Sequence, residues 1–489
     1  MAGKRNKYIA ALLGVVMMIT GCGNQSPNEE EYMNQEENLT SEASFEDTSA
    51  SQTANNLNTD LIKSEKDSAI QNDNAGQGVN SETSSISNKL NQELEEEREF
   101  IPDCDSGDTG YNPEHYDLDI EQKLSEYGYT DCEDFRKDIL GRSIEVFRYG
   151  YSCDQNIVMS PYSVINSLSI VLLGISDTDT YAGSGAMTSW FRNGTGSDPN
   201  YVLSGIKELN LKFISQYEYQ FSGQLVTTCS LNNASGLSKF NTEYVCYENG
   251  EDPYIDINSI VQKSNGHIVF SGDSVIDNTA VLSIGYFEDS WITEADWYIS
   301  DHEFHNQDGT TVLSHMAMFT ENLDYIETDS AYGLIKPFSH DDDYSMVFIM
   351  PKQGNLDSFI DSLEVEDLDS LMESRSNKDV CFIVPSFTSS SEIELNGFME
   401  QEGLGGVVGQ DASFYSLTSD DMKISQILHK TYFSLNGRGA RSYDNITDTY
   451  SENDVQISGY PVICDKPFLY IIIDNDTGIP VIMGAVNNL

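Results

Sequence analysis

The C-terminal part of the chain, from His429 to Leu489, constrains the fold more than any other stretch. Residues 432–435 are typical of a short strand, whereas residues 436–460 form a long polar segment with almost no hydrophobic periodicity. Two apolar runs, residues 468–473 and 480–486, are joined by a Gly-containing turn and predict a buried β-hairpin. A structureless loop longer than about 15 residues is uncommon in a compact domain and is usually functional. We therefore expect an exposed functional loop between a strand and the hairpin.

Short motifs on both sides of this loop occur in a fixed order. Residues 427–430 read ILHK before the loop, Gly439-Ala440 stands at its start, and Lys466-Pro467-Phe468 opens the hairpin, which closes with residues 482–486. This arrangement resembles the serpin family, and the resemblance extends over roughly residues 130–489. It implies an α+β protein with a large central mixed β-sheet, two smaller sheets, surrounding helices and an exposed reactive loop.

Upstream segments fit the same family. Ser160-Pro161-x-Ser163 precedes an apolar run that ends in Gly174, which is typical of a helix start and stop. An apolar strand at residues 280–287 runs toward a tryptophan and resembles the family's central strand, with Ser283 where the family has Asn. The resemblance implies that six residues form a structural cluster where the main sheet opens: Asn156, Ser160, Ser163, Ser283, Trp291 and His429.

The resemblance also implies a mechanism. In the family a protease cuts the reactive loop, and the cut loop then inserts into the main sheet as an added strand. On this basis the reactive loop is residues 437–460, and the hinge consists of Gly437, Gly439, Ala440, Ser442 and Asp444. The protein is then expected to be a suicide-substrate protease inhibitor rather than an enzyme.

The hinge departs from the run of small residues that the family uses. Alternate residues of a strand share a face, which groups Ala440, Ser442 and Asp444. By the register that the family resemblance implies, this face turns inward on insertion. Burying Asp444 unpaired would cost several kcal/mol or force the carboxylate to take up a proton. We therefore expect slower insertion, and the alternative is a non-inhibitory serpin-fold binding protein whose loop is cleaved without trapping the protease.

The sequence of the loop limits which protease can cut it. No Lys or Arg lies between Arg441 and Lys466, so the target is not trypsin-like. The family's usual loop length places the scissile bond near residues 453–454, and this loop is somewhat longer. The candidate scissile residues are Tyr450, Glu452, Asn453 and Asp454. They predict an extracellular protease that is chymotrypsin-like, elastase-like or acid-preferring.

Other chemistries are poorly supported. The chain has no G-x-S-x-G elbow, so a serine hydrolase is not indicated. His302 and His305 lack a third spaced ligand, and the glycines at 403–409 do not follow a strand of a βαβ unit. We predict neither a metal nor a cofactor.

The N-terminus predicts the location of the protein. A basic start, a short apolar run and the Ile19-Thr20-Gly21-Cys22 tetrapeptide resemble a bacterial lipoprotein signal, with Cys22 as the lipid-modified residue. Residues 1–22 are thus the signal peptide. Residues 23–110 are an acidic Ser/Asn/Glu-rich tether that buries too little apolar surface to fold. Residues 111–489 are the serpin domain, and its first amphipathic helix is indicated by Phe135, Ile139, Leu140, Ile144 and Phe147.

Charge and cysteine content set further limits. The formal net charge of −54 makes nucleic acid an implausible partner, because phosphates would be repelled. If Cys22 of the 8 cysteines carries lipid, an odd number remains and they cannot all pair within the chain. We expect a monomer that is held at the cell surface, facing the extracellular medium, by a lipid anchor.

Overall fold

The computed structural model describes residues 132–175, 182–194, 198–232, 234–248, 253–264, 268–270, 278–340, 343–408, 412–440 and 458–489. All of them lie in the second of two compact units, Ser106–Leu489. Within these residues, most buried apolar side chains form one continuous core cluster.

The helices of the described residues surround two β-sheets. They are α1 (Cys132–Gly150), α2 (Pro161–Ile175), α3 (Ala182–Phe191), α4 (Pro199–Ser215), α5 (Tyr254–Ser264), α6 (Leu356–Ser362), α7 (Val365–Glu373) and α8 (Asn396–Gln401). Helix α2 begins as predicted, with Pro161 as its first residue, where the missing N–H is not needed. This helix is apolar on nearly all sides and is buried, because it contacts strands of both sheets.

The first sheet contains the predicted central strand. Its order is β3-β2-β4-β12-β13-β5, and β11 also pairs with β12. The strands are β2 (Tyr219–Thr227), β3 (Thr242–Cys246), β4 (Thr279–Phe287), β5 (Asp289–Ser290), β11 (Phe387–Glu394), β12 (Ile424–Asn436) and β13 (Gly439–Ala440). The predicted apolar strand at residues 280–287 is confirmed as β4, all of whose residues are buried.

The second sheet has the order β1-β16-β15-β9-β8-β7-β10-β14, with β6 also paired to β7. Its strands are β1 (Ile157–Met159), β6 (Trp297–His305), β7 (Thr311–Glu327), β8 (Ala331–Pro337), β9 (Tyr344–Pro351), β10 (Ser376–Pro385), β14 (Tyr460–Ile463), β15 (Phe468–Asp474) and β16 (Pro480–Val486). The 17-residue β7 pairs with β10 over most of its length and with β8 at its end. The two smaller sheets of the prediction are therefore joined into one hydrogen-bonded sheet.

The predicted C-terminal hairpin is confirmed. Strands β15 and β16 pair antiparallel from Phe468↔Val486 to Ile473↔Pro480. The turn between them is closed by Asp474, which accepts hydrogen bonds from the backbone N–H and the hydroxyl of Thr477 at 2.8 and 2.7 Å. Gly478 adopts a φ of 66°, which a residue with a side chain rarely takes.

Candidate functional site at the loop hinge

The predicted reactive loop connects the two sheets. Its proximal end is β13, next to β12 in the first sheet, and the chain re-enters the described residues just before β14, an edge strand of the second sheet. Residues 441–457 lie outside the described part of the chain. This applies to six of the predicted site residues: Ser442, Asp444, Tyr450, Glu452, Asn453 and Asp454. It also applies to Cys22.

The strands beneath the hinge have an unusual pairing. Strands β4 and β12 are parallel neighbours from Thr279↔Ile424 to Tyr286↔Tyr432. On their outer sides both strands have antiparallel partners, β2 next to β4 and β11 next to β12. Because β4 and β12 run in the same direction, one additional strand could lie between them antiparallel to both. The chain that turns back after β12 has that direction, since β13 is antiparallel to β12.

His429 lies at the centre of this strand pair and is fully buried. The backbone N–H of Ser160 donates to its Nε2 atom at 3.0 Å, and its Nδ1 atom lies 2.8 Å from the hydroxyl of Ser283. Because Nε2 accepts a hydrogen bond, the ring proton is on Nδ1 and is donated to Ser283. Burial lowers the pKa of His429 to about 3, so the ring is neutral. Ser283 thus reaches the ring of His429 despite its short side chain.

The start of helix α2 connects to both strands of the pair. The hydroxyl of Ser163 donates to the carbonyl of Ile284 on β4 at 2.6 Å, while Ser160 binds His429 on β12. Gly285 leaves room for this contact, because a Cβ atom there would lie 2.0 Å from the Cβ atom of Ser160. The structure therefore brings together four of the predicted residues: Ser160, Ser163, Ser283 and His429.

Two members of this cluster were missed by the sequence analysis. The Thr431 hydroxyl lies 2.5 Å from Nε2 of His429, and the Tyr219 hydroxyl shares a 2.6 Å hydrogen bond with Ser160. Thr431 is two residues after His429 on the same strand, so strand alternation could have found it. Tyr219 comes from β2, far away in sequence, and no motif marks it.

Asn156 does not join the cluster, which corrects its predicted position under the main sheet. Its Nδ2 atom donates to the carbonyl of Asn488 at 2.6 Å, and its Oδ1 atom accepts the backbone N–H groups of Asn487 and Asn488. Asn156 precedes β1, which pairs with the C-terminal strand β16. It therefore fixes the C-terminus and not the sheet opening.

Trp291 lies at the upper end of the sheet, as predicted, and contacts the hinge. Its ring stacks on Phe338 with 4.4 Å between ring centroids, and its Nε1 atom donates to the carbonyl of Asn436 at 3.3 Å. Its backbone N–H donates to the carbonyl of Arg438 at 2.9 Å. Trp291 thus holds the chain on both sides of Gly437.

A buried ion pair packs against the ring of this tryptophan, and it was not predicted from the sequence. The ammonium group of Lys336 pairs with Glu321 and lies 5.1 Å from the ring centroid of Trp291 and 4.3 Å from that of Phe319. Burial lowers the pKa of Lys336, and the carboxylate of Glu321 opposes this shift. The contact with two aromatic faces is a cation–π interaction, which is stronger when desolvated.

An apolar cavity lies far from the hinge, between α1, α7 and the strands β9, β15 and β16. It is lined mainly by aliphatic side chains, with Arg136 and Asp369 at one side, and its volume is about 30 Å³. That volume holds about one water molecule, whereas pockets for small organic ligands measure about 300–1,000 Å³. The described residues also contain no group of three or more side chains that could hold a metal ion.

Comparisons with known proteins agree with this architecture. The family model described as "Serpin (serine protease inhibitor)" matches residues 147–489. An alpha-1-antitrypsin-like protein of Ictidomys tridecemlineatus is 27% identical over 262 residues, which are 51% of this chain and 60% of the relative, less than two thirds of its length. The corticosteroid-binding globulin of Oryctolagus cuniculus is 22% identical over 362 residues, covering 68% of this chain and 89% of the relative. The native structure of the thermophilic serpin tengpin superposes with a TM-score of 0.63 at 21% identity, covering 73% of this chain and 95% of tengpin.

Proposed function

The chain belongs to the serpin family of serine protease inhibitors, a family of non-enzymes, and from this we propose that it inhibits an extracellular protease as a suicide substrate. The observation that carries the proposal is the parallel pairing of β4 and β12 directly beneath the hinge. A strand inserted between them would be antiparallel to both. It would exchange one parallel ladder for two antiparallel ladders.

The energetics favour insertion after the loop is cut. Each backbone hydrogen bond contributes about 1 kcal/mol net. An inserted strand forms such bonds along both edges while the β4–β12 ladder is lost, so the net gain is about one ladder. The opposing cost is the burial of Asp444, which amounts to several kcal/mol if its carboxylate finds no partner. In a strand of about ten residues, the free energy of the added hydrogen bonds exceeds this cost. Insertion of the cut loop is therefore favourable, but it is slowed.

The loop sequence supports a target that is not trypsin-like. The absence of Lys and Arg between Arg441 and Lys466 removes the side chains that a trypsin-like specificity pocket binds. Tyr450 suits a chymotrypsin-like protease, and Glu452 or Asp454 suits an acid-preferring one. Elastase-like proteases complete the set to be tested.

We further propose that the protein acts at the cell surface as a lipoprotein. The support is the N-terminal signal that ends in Cys22, followed by the polar tether of residues 23–110. In the part of the chain that the structure describes, no helix has the length and apolarity that crossing a bilayer requires. Anchoring through Cys22 places the inhibitory domain in the medium outside the cell.

A non-inhibitory binding protein is the second candidate. The larger side chains of Arg441, Tyr443 and Asp444 in the hinge favour it, and one relative is named for corticosteroid binding. The pairing of the hinge residues Gly439 and Ala440 with β12, in the direction that an inserted strand needs, favours inhibition. Inhibition is therefore preferred.

The test mixes the purified protein with chymotrypsin-like, elastase-like and acid-preferring proteases. We expect a covalent complex that survives SDS, and the peptide released from it identifies the scissile bond. Clean cleavage with a large rise in melting temperature would mean that the loop inserts too slowly to trap. Cleavage without any rise would contradict insertion and leave a serpin fold used for binding.

A further inference from the structure

A polar cleft lies beside one edge of the first sheet. Its volume is about 530 Å³, and it is lined by the end of α1, the segment around the start of β1 and part of β11, namely Tyr149, Gly150, Gln155, Ile157 and residues 390–394. Phe387 of β11 is opposite Leu435, next to the hinge, and Glu394 is opposite Leu428. The cleft therefore lies along the part of β11 that is farther from the hinge.

The cleft side of β11 is an unpaired strand edge. Among the described strands, β11 pairs only with β12. The ladder extends to Leu395, whose N–H donates to the carbonyl of Ile427 at 2.8 Å. Residues that bond across an antiparallel ladder alternate, so the backbone groups of Ser390, Glu392 and Glu394 point away from β12 and toward the cleft. The carbonyl of Glu394 fits this pattern, because it accepts a hydrogen bond from the hydroxyl of Tyr149 at 3.3 Å.

Two other edge strands carry features that hinder the addition of a strand, and β11 lacks them. Strand β14 contains Pro461, and the pairing of β6 is interrupted by an irregularity between Ile299 and His302. In contrast, all 8 residues of β11 pair with β12 in an unbroken register, and its sequence, FTSSSEIE, contains no Pro, Lys or Arg. A regular edge of this kind can pair with another extended chain.

The side chains along this edge are suited to a basic segment. Glu392 and Glu394 are the charged residues of β11, and both are exposed. The carboxylate of Glu392 is paired with Lys430 on β12 at 2.7 Å. Within the described residues Glu394 forms no ion pair, and its carboxylate accepts the backbone N–H of Asn396 at 3.1 Å. The net charge of −54 also attracts a basic partner and repels a second copy of this chain.

We propose that the free edge of β11 binds an extended basic segment of a partner protein, which joins the first sheet as an added strand with a Lys or Arg side chain against Glu394. Residues 390–394 of an extended strand span about 17 Å, which matches about five residues of the partner. The backbone groups of Ser390 and Glu392 supply the pairing, and Glu394 supplies the preference for a basic residue. The site is separate from the reactive loop, so binding there requires neither cleavage nor inhibition of a protease.

The probe is a fluorescent peptide of alternating Thr and Lys residues, about eight residues long. Because every second residue is Lys, the peptide can place Lys side chains on the face of Glu394 without matching one particular sequence. We expect it to bind the full chain in a fluorescence anisotropy titration at low salt, and a peptide with Glu in place of Lys should not bind. The same Thr-Lys peptide with N-methylated backbone nitrogens should bind at least about tenfold more weakly, because it cannot pair as a strand. No binding of the Thr-Lys peptide, or equal binding of its N-methylated form, overturns the proposal.

Two glutamate variants show whether the peptide binds at β11. Glu394→Gln removes the unpaired carboxylate but keeps an oxygen that can accept the N–H of Asn396, and it should weaken binding of the Thr-Lys peptide about threefold. Glu243→Gln is the matched control, because Glu243 is an exposed residue of β3, an edge strand on the opposite side of the same sheet. This variant should bind as the wild type does. Equal weakening in both variants would mean that the overall negative charge attracts the peptide and that β11 is not its site.

Hydrogen exchange measured by mass spectrometry locates the added strand directly. With the Thr-Lys peptide bound, amide exchange in residues 388–394 should be slower by about tenfold, while exchange in the edge strand β6 stays unchanged. Binding without slower exchange in β11 overturns the proposal. A dimer of the full chain that protects β11 without any peptide would make a second copy the occupant. Protection of β11 by a soluble oligosaccharide, with none by the peptide, would make the cleft a saccharide site, and either result also overturns the proposal.

Discussion

His429 shows how one buried residue makes the fold sensitive to pH. The neutral ring is held by Ser160 and Ser283, and burial lowers its pKa to about 3 from an ordinary value of 6.5. Between these values the unfolded chain binds a proton that the folded chain does not. The contribution of His429 to stability is therefore complete above pH 6.5 and is lost as the pH falls toward 3.

We expect this loss to be measurable in urea unfolding at pH 7, 6 and 5. At about 1.4 kcal/mol per pH unit, the His429 contribution should fall by about 2 kcal/mol at pH 5. The variant His429→Gln should lack this part of the pH dependence. Burial raises the pKa values of Asp138 and Asp343 to about 6, so these two carboxyl groups stabilise the fold as the pH falls. Their contribution is the same in the wild type and in His429→Gln, and it cancels when the two proteins are compared. Parallel curves for the two proteins would contradict the assignment.

At the residue level, sequence reasoning succeeded where a motif fixes neighbours along the chain. Ser160 and Ser163 belong to one helix start, and His429 belongs to one strand, so their local placement follows from the sequence. The contacts of Tyr219 and of the Lys336–Glu321 pair join separate strands and depend on register. Asn156 shows the same limit, because its partners are at the far end of the chain.

At the level of elements, the four-residue strand β14 anchors the distal end of the loop. It is an edge strand, and it pairs only with β10, in parallel, among the described strands. Its second residue is Pro461, which has no N–H to donate. A side-chain clamp adds to this hold: the ammonium group of Lys378 on β10 lies 3.6 Å from the ring centroid of Tyr325 and 4.4 Å from that of Tyr460.

Removing the clamp should loosen the strand. In Lys378→Met the two cation–π contacts are lost, at about 1 kcal/mol, so amide exchange in β14 should be faster by about fivefold. Lys137→Met is the matched control, since it removes a surface lysine of α1 that is paired with Glu133. If both variants exchange alike in residues 460–463, the tyrosines do not hold the strand through Lys378.

The elements themselves were largely predictable. The hairpin of β15 and β16, helix α2 and strand β4 are strongly apolar and bounded by Pro, Gly or Asn, so their type follows from local pattern. Strand β13 was not predictable as a strand, because two residues carry no periodicity and only tertiary partners define them. The continuity of the second sheet through β7 was not predictable either, because it depends on which strands pair with β7.

At the scale of the whole molecule, the negative charge should repel the protein from an anionic membrane, whereas a lipid anchor would hold it there. The formal charge of −54 repels anionic lipid, so the protein surface should contribute no attraction of its own. A lipid anchor at Cys22 would then be the sole attachment. Stable anchoring requires two acyl chains, which the modified cysteine of a lipoprotein carries.

Phase partitioning of the full chain, produced in a bacterial host, tests this arrangement. We expect the wild type in the detergent phase and Cys22→Ser in the aqueous phase. Cys104→Ser is the matched control, because it replaces another N-terminal cysteine and should leave the anchor intact. A Cys22→Ser protein that still enters the detergent phase would rule out lipidation at Cys22.

The pairing of β13 predicts that proton binding by His429 changes when the cut loop inserts. If its register continues, Asp444 comes to lie opposite Thr431 on β12 and opposite Gly285 on β4, since paired positions in antiparallel strands keep a constant sum. His429 is then two positions away on the same face and has lost Ser283, which lies across the new strand. A carboxylate beside it raises the pKa of the imidazole. If the cut loop inserts in this register, insertion should therefore draw a proton from solution, so that the inserted form is favoured where the medium is acidic.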